Sequence, residues 1–140
     1  MNRLPVEFLE QGFHRVLFDA MPLPVFVVDD NMCIFDYNAA AAKLLGKGKR
    51  LIIRHLGGEV LNCIHSAETP EGCGRAPSCR DCVVRKSVRA AARGRRVVRR
   101  RAQMELVRNG KITPLDLQVS CQPFNYGQSS YILVVLEGLI

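Results

Sequence analysis

Four cysteines, Cys63, Cys73, Cys79 and Cys82, crowd into one short stretch in the pattern C-x9-C-x5-C-x2-C. Thiolates are soft ligands, and a four-cysteine set suits a zinc ion or an iron–sulfur cluster. Two local features favour metal binding. Cys79-Arg80-Asp81-Cys82 is a CxxC at the start of an expected helix, where free N–H groups and the helix dipole favour the thiolate. Gly72-Cys73-Gly74 frees the backbone around a further sulfur, so that amide N–H groups can approach it. Four thiolates around a zinc ion or a 2+ cluster leave a net charge of about −2. Arg75, Arg80, Arg85 and Lys86 lie close enough in sequence to offset it. His65 is a substitute ligand for a three-cysteine, one-histidine site. The competing readings are a redox dithiol made of Cys79 and Cys82, and plain loop thiols. Cys33 and Cys121 lie in apolar or alternating stretches and read as small core residues. His14 and His55 read as polar surface residues.

The elements that must position these thiols are legible from periodicity. Residues 6–20 repeat apolar side chains at helical spacing, and Met21-Pro22-Leu23-Pro24 ends that helix. Val25-Phe26-Val27-Val28 and residues 32–35 read as two short strands around an Asp29-Asp30-Asn31 turn. Asn38 is an expected N-cap and Gly46 an expected C-terminal stop for the helix between them. Residues 47–50 read as a basic loop, and 51–56 as a short helical or irregular piece. Residues 57–82 are rich in Gly, Pro and Cys without sustained periodicity, which predicts loop with short helical turns. Residues 83–93 predict a helix with Val84, Val88 and Ala91 or Ala92 inward, stopped by Gly94. The last third alternates with period two: Ala102, Met104 and Leu106, then Leu115, Leu117, Val119 and Cys121. Asn109-Gly110 predicts a hairpin turn between them. Residues 124–128 predict another turn, and 131–136 a final apolar strand at the centre of the sheet.

This order, with Leu17-Phe18-Asp19-Ala20-Met21-Pro22 leading into the first strand, Ile34-Phe35-Asp36-Tyr37-Asn38-Ala39 in the second strand and helix, and Val134-Val135-Leu136-Glu137-Gly138 at the end, resembles the PAS domain. The resemblance implies an α+β fold: a PAS-like five-stranded antiparallel sheet with flanking helices and an N-terminal cap helix. It divides the chain into a cap helix at 1–22 and a PAS-like domain at 23–140 with a cysteine-rich segment at 57–82. It implies a sensory and signal-transduction module that holds a ligand or cofactor and passes a signal to a partner. The cysteines of residues 57–82 depart from the usual PAS pattern. Some PAS-containing oxygen-responsive sensor kinases hold a 4Fe–4S cluster through four cysteines at other spacings. That analogy places a 4Fe–4S cluster ahead of Zn, and oxygen or redox sensing ahead of a purely structural zinc site. Expected partners are a second copy of the chain, as a homodimer, and a kinase or regulator acting in trans or fused in a longer chain.

Composition bounds the remaining possibilities. The 140 residues are 48% hydrophobic and 24% charged, as in a globular domain. No apolar run is long enough for a membrane span, and the N-terminus lacks a signal-peptide pattern, which predicts a cytoplasmic location. There the six cysteines stay reduced and do not read as a disulfide framework. The net charge of +7 is concentrated between Arg80 and Arg101. That run has no interleaved aromatics, so it reads as a solvated face rather than a nucleic-acid surface. No phosphate-binding loop or Ser-His-Asp set is present, and the chain is expected not to be an enzyme.

Overall fold

The structure is a computed structural model and describes residues 12–61 and 63–138. Five strands, β1 (Val25–Val28), β2 (Ile34–Tyr37), β3 (Val97–Arg108), β4 (Lys111–Tyr126) and β5 (Ser129–Glu137), form one sheet in the order β2-β1-β5-β4-β3. Every pairing is antiparallel. The apolar run in β5 takes the central position, as its composition predicts. Helices α1 (His14–Ala20), α2 (Ala39–Leu45), α3 (Gly57–Val60) and α4 (Val83–Ala92) flank the sheet, with 3-10 segments at Lys49–Leu51, Ile64–Ala67 and Pro77–Asp81. The expected α+β architecture is therefore present.

The core follows from alternation. Leu115, Leu117, Val119 and Cys121 of β4 point inward with Ala102, Met104 and Leu106 of β3, and all are buried. Helix α4 lies across them with Val84, Val88 and Ala91 buried in the same cluster. At about 25 cal/mol per Å² of apolar surface removed from water, this contact is the main source of the fold's stability.

Local signals set the joints. Asn38 is the N-cap of α2, accepting from the Ala41 N–H at 3.0 Å. The same oxygen accepts from the Val25 N–H at 2.9 Å, and the amide nitrogen donates to the Leu23 carbonyl at 2.9 Å. One buried side chain thus fastens α2 to β1. Gly46 closes the helix at φ +62°. Asn109 and Gly110, at φ +51° and +75°, make the two-residue turn between β3 and β4.

Four expectations change in detail. The turn expected over 124–128 contracts to Gly127-Gln128, because the ladder continues through Phe124↔Tyr131 to Tyr126↔Ser129. Strand β2 begins at Ile34 rather than Met32, since Met32 sits at φ +65° in the turn that its N–H closes onto the Asp29 carbonyl. The basic loop at 47–50 ends in the 3-10 turn Lys49–Leu51. Cys33 is half-buried and bridges to Leu56, whereas Cys121 is a true core residue. Of the N-terminal helix, residues 12–20 are described; the start of the expected segment and the first half of the 1–22 division lie outside the described residues. Among the described residues, no helix is long and apolar enough to cross a membrane.

Candidate thiol site

The segment 57–82 folds as short turns strung along one side of the sheet. Cys63 follows α3 and pairs by a backbone bridge with Leu106 on the edge strand β3. Its N–H is held by the Gly58 carbonyl at 2.8 Å. Cys73 sits between Gly72 and Gly74, at φ +84° and +92°, a backbone that favours glycine on both sides. Cys79 lies in the 3-10 segment Pro77–Asp81, and Cys82 caps α4. All four thiols are half-buried and unpaired.

The folding brings them within electrostatic reach of one another. Burial pushes the Cys63 thiol above its ordinary range; the His65 backbone N–H opposes this, and Cys82, Cys73 and Cys79 add to it. Burial likewise raises Cys82, against the pull of the Arg85 and Val84 N–H groups at the start of α4. The helix N-terminus thus aims donors at Cys82 as its sequence position predicts. However, desolvation outweighs it, and the thiol ends up raised rather than lowered.

Cys73 receives two donors. The Gly58 N–H and the Arg85 guanidinium Nη2 each lie 3.3 Å from its sulfur. The approach of Gly58 requires glycine, because a Cβ there would stand 2.7 Å from Cys73 Sγ. A Cβ on Gly74 would overlap the Arg85 guanidinium. Gly58 and the Arg85–Cys73 contact were not evident in the sequence, where only the Gly57-Gly58 pair hints at a close approach.

His65 turns its ring Nδ1 to Glu68 Oε1 at 2.7 Å. His14 and His55 are exposed. Among the described residues, no group of three or more His, Cys, Asp or Glu side chains is arranged to hold a metal ion.

Two open cavities border the thiols. One, of about 650 Å³, exposes Cys63 and Cys82 beside His65, Asp81 and Glu105. The other, of about 520 Å³, carries Arg75, Arg80, Arg85 and Arg89 around Cys79, with no carboxylate in its lining. By contrast, the cavity between the sheet and α4, lined by Phe26, Met32, Ile34 and Val88, is only about 30 Å³. That is room for little more than a water. The basic run is a solvated face: Arg101 makes a two-pronged pair with Asp116 at 3.1 and 2.8 Å, and Arg99 reaches Glu137.

No curated protein matches the chain. Solved structures resemble it over nearly its full length. The PAS domain of nitrogen regulation protein NR(II) from Vibrio parahaemolyticus matches with a TM-score of 0.59 at 16% identity, over 89% of this chain and 95% of that one. A domain of the sensory box sensor histidine kinase/response regulator from Geobacter sulfurreducens gives 0.59 at 17%, over 94% and 96%. The PAS domain of an HTR-like protein from Haloarcula marismortui gives 0.56 at 16%, over 91% and 95%. At these identities the likeness concerns the fold. The sequence model of the PAS domain matches residues 12–77, just under half of the chain, and the fold is similar to that of solved PAS domains.

Proposed function

We propose that this PAS sensory module binds a 4Fe–4S cluster through Cys63, Cys73, Cys79 and Cys82 and signals oxygen or redox state through protein contacts. The observation that carries the reading is the set of donors aimed at sulfur. The Gly58 N–H reaches Cys73, the Val84 and Arg85 N–H groups reach Cys82, and the His65 N–H reaches Cys63. Free thiols need no such shell, whereas cluster sulfurs are stabilised and tuned by it. The arginine-lined cleft beside Cys79 supplies the positive potential that a dianionic centre requires.

The cluster is placed ahead of zinc by analogy with PAS-containing oxygen-responsive sensor kinases that hold a 4Fe–4S cluster through four cysteines. When bound, it supplies one-electron chemistry and sensitivity to oxygen. The chain's residues hold the sulfurs, screen their charge and, through the open cavity at Cys63 and Cys82, admit small molecules. The near-closed space between sheet and α4 directs attention away from an organic ligand there.

A structural zinc staple is the second reading. A CxxC dithiol is disfavoured, since burial raises the Cys82 thiol and makes it a poor nucleophile. The relatives' names include a sensor histidine kinase and a nitrogen regulation protein, which supports an output kinase or regulator as partner. Support for a homodimer comes from Val16 and Leu17, exposed on α1 at 58% and 51%. Free thiols suit a cytoplasmic, reducing setting.

The test is iron, acid-labile sulfide and visible absorption on protein purified without oxygen. About four irons and four sulfides per chain, with a brown band that bleaches in air, are expected. Replacing all four cysteines by serine should abolish both. Stoichiometric zinc without colour would establish the staple, and neither metal would overturn both.

A further inference from the structure

We infer that Arg85 carries the occupancy of the thiol site to the turn between β1 and β2, so that filling the site tightens that turn. The inference rests on the cluster reading above. Arg85 is only 3% exposed, yet no carboxylate pairs with it among the described residues. Its two guanidinium nitrogens are divided. Nη2 donates to Cys73 Sγ and Nη1 to Asn31 Oδ1, each at 3.3 Å, the latter across 54 residues of sequence. A buried guanidinium needs an anion nearby. Among the described residues, the thiol site is the partner placed to supply it.

With the site filled, the cation is balanced and its second hand stays on Asn31. With the site empty, the balancing charge is gone. Arg85 also lines the open arginine cleft, so it has a route toward water. Taking that route releases Asn31. The loop is shaped around the inward position, because Gly74 leaves space that any Cβ would take from the guanidinium.

The receiving turn is poised to respond. Met32 is a non-glycine residue at φ +65°, a conformation that persists only where its surroundings hold it. Asp29 Oδ1 accepts the Asn31 and Cys33 N–H groups, both at 2.9 Å. A second tether runs in parallel: the Gly57 N–H donates to the Met32 carbonyl at 2.9 Å, and the next residue, Gly58, donates to Cys73. Beyond the turn lies β2, an edge strand whose Asp36 and Tyr37 hold α1 through Arg15. A change at the sulfurs therefore has a continuous route to an exposed edge and to the N-terminal helix.

The experiment is hydrogen exchange on the full chain, filled anaerobically with iron and sulfide and again after chelation. Peptides over residues 29–34 should exchange about fivefold or more slowly in the filled protein, the lower range of ordinary coupling. Asn31→Ala touches none of the sulfurs and should fill to the same iron content while losing that difference. Arg85→Gln should lose it too; should Arg85→Gln fail to fold, Asn31→Ala decides alone. A filled wild type whose turn is unmoved, or an Asn31→Ala protein that keeps the full difference, overturns the relay and leaves the cluster reading intact. A wild type that takes up neither iron nor sulfide removes the cluster reading and the relay with it.

Discussion

The sheet with α4 and the segment 57–82 occupy one domain but are held by different physics. In the first, Leu115, Leu117, Val119, Val88 and Leu136 are buried against one another, and the pattern repeats along each strand. In the second, the buried positions among the described residues are mostly glycines (Gly57, Gly58 and Gly72), joined by the apolar side chains of Val60 and Ala76. Glycine loses more freedom on folding than any other residue and contributes no side-chain burial. The segment is ordered instead by hydrogen bonds to sulfur and by a buried arginine. The first region carries most of the buried apolar side chains, and the second, with few of them, is the end of the domain expected to open first.

The largest expected effect breaks the first region without touching the second. Leu117 is 2% exposed at the middle of β4. Leu117→Ala should cost about 3 kcal/mol of unfolding free energy, within the usual range for a core leucine. Denaturant melts would read this directly. Iron bound per folded chain should stay at the wild-type value, because Leu117 supplies neither a sulfur nor a donor to one.

Asn38 tests the joint that fastens the sheet to α2. Its oxygen serves two backbone donors and its amide a carbonyl, all within 3.0 Å. Asn38→Ala leaves the Val25 and Ala41 N–H groups without that acceptor in a buried place. A loss of about 2 kcal/mol is expected from the missing cap and the unsatisfied donors together. Asn38→Asp retains the acceptor oxygen and should recover part of it, which a melt of the two variants side by side would check.

How far the sequence carries the structure divides along the same line. Period-two alternation placed β3 and β4, an apolar run placed β5, and the Asn109-Gly110 turn, the Asn38 cap and the Gly46 stop are local signals that fold as read. These features depend on neighbours in sequence. The extension of β4 to Tyr126 was hidden because Asn125 and Gly127 look like turn residues, and only the pairing with β5 keeps residues 124–126 in the ladder. The cysteines stand out as a set, yet their environment does not. Gly58 against Cys73 and Arg85 against Asn31 join residues far apart in the chain, and no local pattern encodes such a contact. At Cys82 the lowering expected at the start of α4 is outweighed by burial, which likewise depends on tertiary packing.

Cys121 gives a pH-dependent contrast with the thiol site, because it belongs wholly to the core. Burial pushes its thiol from 9.0 up to about 12. The folded chain therefore keeps this proton where the unfolded chain releases it. The associated stability is fully present below about pH 9 and declines as pH rises toward the folded value. Within that window the slope is about 1.4 kcal/mol per pH unit. Urea melts at pH 8, 9 and 10 should show wild type falling more steeply than Cys121→Ala. Parallel curves would mean that the thiol is not held in the dry core.

The smallest expected effect on stability is also the sharpest test of the second region. Gly58 lies in α3 at an ordinary helical backbone, so Gly58→Ala carries no penalty from φ and gains helix propensity of about 1 kcal/mol. What the new methyl meets is the Cys73 sulfur at 2.7 Å, closer than a real Cβ contact allows. Relief requires Cys73 to move, and with it the Gly58 N–H···S bond. The gain and the clash oppose each other, so global unfolding free energy should change by less than about 1 kcal/mol. The sulfur site has no such compensation, and iron bound per chain should fall by more than half. A variant that melts like wild type but fails to fill would separate the segment's chemistry from the core's packing. One that fills normally would mean that the donor at residue 58 is dispensable and that the sulfurs are positioned by their own loop alone.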